Sequence, residues 1–431
     1  MGVQMLSTKL IKPSSPTPSH LRTLKLSPID QLFTYTAKPS TSYHYSADSS
    51  SSSSSRSEDV ERRARLETSL SETLTRFYPL AGRYIKDGHS VDCNDEGAEY
   101  LEAKVEGQLS QLLSRRDEMI YQLVHLSGGQ STSPIASIQI TRFDCGGLVI
   151  GVRIHHIVTD GFTAASFVTA WATASREGVG KLIFPTFGLT SFFPENDLPI
   201  LKPRPPPKIS ETNKVVTRRF VFDGAKISSL KARAHDPRFQ REPSRVAVVT
   251  ALIWRALMGV SKAKHGRLRT SLASHSINLR PKIVPPLPPL CCGNLTTRYK
   301  ARFMADDSNG ELPDLKELVG LLRDATKSNA AMPREDMYST VIKSRNELHE
   351  DMEDEEVDVF LFSSWSRLSF HEADFGWGKP VWVSKIHFPA DQIFLLDGEG
   401  GDGIDAWVGL NQQDMLQLQQ DGDILAFTCS V

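Results

Sequence analysis

"RIHHIVTDGF", residues 153–162, sets two histidines side by side at the end of an alternating apolar run and follows them, three residues later, with Asp-Gly. Upstream, Leu148, Ile150, Val152 and Ile154 alternate as a half-buried strand requires. Before them Ile138 and Ile140 alternate with Gln139 and Thr141, and Asp144-Cys145-Gly146-Gly147 supplies a hairpin turn. Downstream, Phe162, Ala165, Phe167, Ala170, Trp171 and Ala174 recur mostly at three- and four-residue steps, which predicts a largely buried helix. His156 and Asp160 therefore occupy a strand-to-helix turn, where a rigid backbone presents side chains at an edge or cleft.

Three readings fit two histidines in such a turn: a proton-transfer site, a metal site, or core with two hydrogen-bonded imidazoles. An unperturbed pKa of about 6.5 leaves histidine a useful neutral fraction near neutrality, and a positioned general base contributes about 10²- to 10⁴-fold in rate. Zinc fits less well, because His155 and His156 project in different directions and no further His/Glu cluster lies nearby. The Asp160 carboxylate can orient an imidazole or pair with a buried cation, and Gly161 permits close backbone approach. H-x-x-x-D-G is short, and alone it leaves these alternatives open.

The rest of the chain sets bounds. Its 431 residues correspond to roughly two to four domains. A net charge of -1 gives no support for nucleic acid or an anionic membrane as partner. The first thirty residues hold no apolar run of signal-peptide length, and no later stretch reads as the roughly 18 apolar residues of a membrane helix. A cytoplasmic protein is expected. Cys93, Cys145, Cys291, Cys292 and Cys429 form no C-x-x-C pair and read as reduced thiols.

Ser27-Pro28-Ile29-Asp30 has the cap, proline and acid of a helix start. The serine run 49–55 reads as a solvated, mobile loop. Leu66, Leu70, Leu74 and Phe77 mark an amphipathic helix of about 18 residues, ended by Tyr78-Pro79-Leu80-Ala81-Gly82-Arg83. Residues 186–214, rich in proline, are the expected linker between a first domain, 1–185, and a second, 215–431. A segment near 374–395 is expected to pack back on the first. The second half opens with a strand over 215–222 and a helix entered at Ser244, and its acidic run, Glu350 to Glu356, reads as a solvated loop or helix end.

Asp374-Phe375-Gly376-Trp377-Gly378 interrupts two later apolar runs. With His156, Asp160 and Gly161, and with "LSPIDQ", "FYPLAGR", "NLR", "GN" and "GIDAWVGL" in the same order, the chain resembles the BAHD plant acyltransferases over nearly its whole length. "IKPSSPTP" and "SSWSRLSFHEADFGWGKPVWVS" are most similar to the vinorine synthase-like branch. The resemblance implies an α/β, two-domain chloramphenicol acetyltransferase-like fold with a central solvent channel between the domains. It implies an acyl-CoA-dependent O-acyltransferase, acetyl-CoA being the expected donor, that esterifies a hydroxyl of an alkaloid, terpenoid or other bulky alcohol. His156 would act as general base in a direct transfer without an acyl-enzyme, so no cysteine nucleophile is needed.

The same resemblance implies roles for other residues. Asp160 would pair with Arg280 and brace the catalytic turn. Asp374, Gly376, Trp377 and Gly378 would shape a supporting loop. Ser363 and Trp365 would face the oxyanion or acyl group, Asn294 the acceptor pocket, and Ser244 with Arg245, at a helix start, the coenzyme A phosphates. No metal is implied, and a monomer is expected. Two features depart from the usual pattern: "CCG" before Asn294, and Ser366 where related sequences often carry cysteine. A condensation domain, with the same H-H-x-x-x-D-G, an N-acyltransferase, or an acyl-ligand binder that has lost turnover are the alternatives.

Overall fold

In the computed structural model, residues 2–34, 40–46, 56–113, 124, 133–193, 215–238, 241–306, 310–327, 331–385, 392–398 and 400–429 are described. The serine run 49–55 and residues 194–214 of the expected linker lie outside them. The chain folds as two units, the first formed by Met1–Pro206, Leu287–Asn294 and Leu368–His387, the second by Pro207–Pro286, Leu295–Arg367 and Phe388–Val431.

The strand that delivers the histidines lies inside a six-stranded mixed sheet of the first unit. Its order is β1 (Val3–Ile11), β6 (Ala98–Val105), β7 (Ala136–Phe143), β8 (Leu148–Ile154), β3 (Ser40–Tyr45) and β15 (Trp382–Lys385). The hairpin β7–β8 pairs Ile138 with Val152 and Ile140 with Ile150, as the alternation predicts. The polar partners do not face solvent, however: Gln139 and Thr141 are fully buried, with Gln139 Nε2 donating to Thr141 Oγ1 at 2.9 Å. β7 is covered on both faces, and a local bond satisfies the groups that alternation assigned to water. Among the described residues, a small sheet of β2 (Thr23–Lys25), β5 (Ser90–Asp92) and β4 (Arg83–Ile85) completes the strands of this unit.

Four helices of the first unit are α1 (Pro28–Gln31), α2 (Arg56–Arg76), α3 (Leu109–Leu113) and α4 (Gly161–Glu177). Leu66, Leu70, Leu74 and Phe77 are buried, and α2 continues for 21 residues, a turn longer than the leucine spacing predicts. Trp171 of α4 donates its indole N–H to Leu66 O and Ser69 Oγ, both at 3.1 Å, so this large ring is buried without an orphaned donor.

The second unit has a six-stranded sheet in the order β12 (Thr296–Phe303), β10 (Thr270–Asn278), β14 (Val357–Ser364), β16 (Gln392–Asp397), β17 (Ile404–Asn411) and β9 (Val215–Phe222). β11 (Ile283–Val284) pairs with β13 (Met332–Pro333). Its helices are α5 (Gly224–Arg233), α6 (Arg245–His265), α7 (Leu315–Lys327), α8 (Arg334–Glu353), α9 (Gln412–Gln419) and α10 (Gly422–Phe427). Two expectations need correction here. α6 is long and apolar enough to cross a membrane by length and composition, with 61% of that window buried inside the protein; its apolar residues run around most of the helix because Val248, Val249, Leu252, Ile253, Trp254 and Leu257 are all core. The acidic run is not wholly solvated: Asp351 is buried at the end of α8, 3.0 Å from Lys300 Nζ and paired with Arg302.

Candidate active site

Sequence chemistry places the turn first. Asp160 has extended backbone and accepts the Thr163 N–H at 2.9 Å, so it is the N-cap of α4 and the helix can start at Gly161. The next link runs to residues far along the chain. Thr163 Oγ1 accepts from Gly293 N at 3.1 Å and lies 3.3 Å from Gly293 O, which sets the Cys292-Gly293-Asn294 loop beside the turn. Only glycine fits at 293: its φ is +123°, and a Cβ would sit 2.5 Å from Leu189 Cδ1. Thr186 fastens the preceding residues, accepting from Cys292 N and donating its own N–H to Leu290 O, both at 2.8 Å.

Asn294 is thereby brought against His156. Its Nδ2 donates to the His156 carbonyl at 2.6 Å and to Asp30 Oδ1 at 3.0 Å. With both amide hydrogens assigned, Oδ1 must be the acceptor for His156 Nδ1, 2.8 Å away. Nδ1 thus carries the proton in the neutral ring, and the lone pair is on Nε2. Phe33 stacks on the imidazole at 4.5 Å between centroids with the planes 8° apart, fixing its orientation.

The far end of this chain is Asp30 in α1, 5% exposed. Its Oδ1 also accepts from Asn294 N at 2.8 Å, and its Oδ2 from Ser27 Oγ at 2.7 Å, as part of a capping box. Burial pushes its pKa up to about 6, although the hydrogen bonds from Ser27 and Asn294 favour the anion. Burial also lowers the pKa of His156; the Asp160 charge and the Asn294 hydrogen bond oppose that shift, and Lys385, whose own pKa is pushed well down by burial, reinforces it. As a whole residue His156 is half-buried. The arrangement is an imidazole with one fixed tautomer and a carboxylate one amide behind it. His155 does not join it: its Nδ1 accepts from Ile157 N at 3.3 Å, and its ring tilts against Tyr84.

Asn294 was expected to line the acceptor pocket. It is fully buried, with its side-chain amide bonded to His156 and Asp30. Asp30, which had only a helix-capping role in the sequence, is the residue that sequence reasoning missed. The signal available was "GN" and "LSPIDQ" as separate fragments, with nothing to join them. A small recess beside Asp30, lined by Leu24, Leu26, Val158, Phe187, Leu189 and Cys292 among others, has a cavity volume of about 10 Å³. That is room for about one water molecule, so this recess is not assigned to a bulky acceptor.

The Asp374 segment is built around its own turn. Oδ1 accepts from Gly376 N at 2.8 Å and Gly378 N at 2.9 Å, both glycines having positive φ, and Oδ2 pairs with Arg176 at 3.1 Å. Phe375 stands edge-on to Trp171 and stacks with Trp377, over which Arg62 and Arg65 lie. Arg176 is fifteen residues after the start of α4, about 22 Å along the axis at 1.5 Å per residue.

In the second unit, Ser363 is the penultimate residue of β14, with Ser276 and Phe394 beside it in the ladder. Trp365 is nearly buried, edge-on to Phe394 at 5.7 Å, and its backbone N–H donates to Leu395 O at 2.7 Å. Arg280 N and Nη1 both donate to Asn278 Oδ1 at 3.1 Å. Ser244 caps α6, accepting from Ala247 N at 3.1 Å. The Arg245 guanidinium beside it donates to the carbonyls of Gly401 and Gly403 and to Asp397.

A family model described as Transferase family matches residues 1–425. The chain is 36% identical over 431 residues to stemmadenine O-acetyltransferase of Catharanthus roseus, covering 97% of this chain and 96% of that one. It is 36% identical over 446 residues to acetyl-CoA-benzylalcohol acetyltransferase of Clarkia breweri, covering 99% and 100%. The crystal structure of vinorine synthase matches with a TM-score of 0.82 at 32% identity over 99% of both chains. On a match of this extent the chain belongs to the Transferase family of BAHD acyltransferases, enzymes that use acyl-CoA, and has their two-domain chloramphenicol acetyltransferase-like α/β fold.

Proposed function

We propose that this enzyme transfers a short acyl group, acetyl, from coenzyme A to a hydroxyl of a bulky plant specialised metabolite such as an alkaloid or terpenoid alcohol, with His156 as general base. The observation that carries the mechanism is the Asn294 amide: both its hydrogens are committed, so Nδ1 donates and Nε2 is the basic nitrogen. Nε2 takes the acceptor proton while the alcohol oxygen bonds to the thioester carbon. The tetrahedral oxyanion then collapses, the C–S bond breaks, and the leaving thiolate takes the proton from the imidazolium. The transient cation is favoured by Asn294 Oδ1 and by Asp30 behind it. Such a base supplies about 10²- to 10⁴-fold, or about 3–5 kcal/mol of barrier.

The remaining assignments draw on the family resemblance: Trp365 and Ser363 for the oxyanion or acyl group, Ser244 and Arg245 at the coenzyme A side, and a monomeric cytoplasmic enzyme. Names of relatives such as stemmadenine O-acetyltransferase support the acetyl donor and the alkaloid class. The test is incubation of the purified chain with acyl-CoAs of increasing length and an extract of the source tissue, with products identified by mass. An O-acetylated product that disappears in His156→Ala is expected. Absence of product with every donor overturns the proposal, and a product acylated on nitrogen replaces its acceptor class.

A further inference from the structure

Asp397, at the end of β16, is bound from three directions. Its Oδ1 accepts from Ser366 Oγ at 2.6 Å and from Arg245 Nη2 at 3.0 Å; its Oδ2 accepts from Arg367 N at 2.8 Å. Ser366 and Arg367 directly follow Trp365, whose own N–H is anchored on Leu395 O, two residues before Asp397. Arg245 is the first residue of α6, next to the Ser244 cap, and its Nη1 donates to Gly403 O at 3.1 Å and to Gly401 O. One carboxylate therefore ties together the Trp365 loop, the start of α6 and the 400–403 turn. Arg367 has φ +66°, a left-handed conformation unfavourable for a residue with a side chain, and its N–H is held by Asp397 in that state.

Arg245 is engaged by a carboxylate and two carbonyls, so its effect on a bound phosphate is indirect. Ser366 also acquires a reason. A serine hydroxyl gives a short, charge-assisted bond to a carboxylate, whereas a thiol is a weaker donor at longer range.

We propose that Asp397 is a positioning residue for the acyl-CoA half of the reaction, holding Trp365 through Ser366 and Arg367, and the coenzyme-side end of α6 through Arg245. The inference rests on the assignments of Trp365 and Ser244 made under the proposed function.

It is tested by steady-state kinetics on the whole chain, following thiol release from acetyl-CoA with benzyl alcohol as acceptor probe, and by calorimetric binding of acetyl-CoA. Ser366→Ala is expected to lower kcat about tenfold at unchanged affinity for acetyl-CoA, and Arg245→Gln to weaken that affinity about tenfold at little cost in kcat. Asp397→Ala should show both effects, and adding Ser366→Ala to it should lower kcat no further. Asp397→Asn, which keeps an acceptor of the same shape, should recover part of each.

An Asp397→Ala enzyme that melts earlier but keeps both constants overturns the inference, as do multiplicative effects in the double variant. Should Asp397→Ala fail to fold, the series at 366 decides: kcat falling from Ser to Cys to Ala supports it, and equal values overturn it. Trp365→Phe and Ser244→Ala separate the two layers. If they leave kcat and affinity intact, the underlying assignments fail and the inference with them; if they impair both constants while Asp397→Ala does not, the positioning role alone fails.

Discussion

His156 Nδ1 faces the side-chain oxygen of Asn294 at 2.8 Å, and the same amide donates from Nδ2 to the His156 carbonyl at 2.6 Å. One residue thus grips both the ring and the backbone of His156. Asn294→Ala removes the acceptor that selects the tautomer, and a loss of about 10- to 100-fold in kcat/KM is expected, with the protein still folded. Product formation by the purified variant checks this; full activity with an unchanged pH profile would mean that the amide does not select the basic nitrogen.

Burial lowers the pKa of His156 below 6.5. If His156 is the base, it is then already largely neutral at pH 7. kcat/KM should be flat from about pH 7 to 8 and fall on an acid limb whose midpoint lies below about 6.5. A midpoint above 7 measured in a pH–rate profile would contradict the enclosed site.

Asp30 works in the opposite sense on stability. Its folded pKa, about 6, lies above the ordinary 3.8, so the native state holds this proton more tightly than the unfolded chain. The contribution is fully present below pH 3.8 and is lost as pH rises through 6, where the buried charge costs about 3 kcal/mol. Asp30→Asn is expected to flatten this part of the Tm–pH curve between pH 4 and 6 while lowering kcat. Parallel curves for wild type and variant would show that the carboxylate is not held as the structure has it.

His275 in the second unit is stacked between Tyr299 and Phe362, each 5.3 Å away, and bonded to Thr250 Oγ1 at 3.0 Å. Burial, with the Arg298 charge, pushes its pKa down to about 3. Its contribution is intact above pH 6.5 and is lost as pH falls, at about 1.4 kcal/mol per unit until the folded pKa is reached. The variant His275→Gln should show a shallower loss of stability between pH 6.5 and 4 by denaturant titration, and an identical slope would refute the assignment.

Asp374 serves its own turn and Arg176. Asp374→Ala should lower stability by about 1–2 kcal/mol, while the folded variant keeps kcat/KM within about threefold. A loss comparable with that of His156→Ala, at unchanged Tm, would place Asp374 in the chemistry.

Much of the frame was legible in order along the chain. The alternation of Leu148 to Ile154, the Asp144–Gly147 turn and the three- and four-residue spacing after Gly161 are local patterns, and hairpin and helix formed where they predict. The capping box at Ser27 and the cap at Ser244 depend on neighbours three residues away, and both are present. Burial of Gln139, Thr141 and Asp351 was not legible, because whether a polar residue meets water depends on what packs over the strand or helix, not on its own spacing.

By itself, then, the sequence determined the strand-to-helix turn that carries His156, the family motifs and the residue types able to move a proton. The tertiary structure alone decided which nitrogen of His156 is basic. That choice rests on Asn294, 138 positions from His156 and 264 from Asp30. A hydrogen bond is a matter of a few tenths of an ångström and of direction, and three segments so far apart along the chain acquire that precision only when the sheet and its loops bring them together.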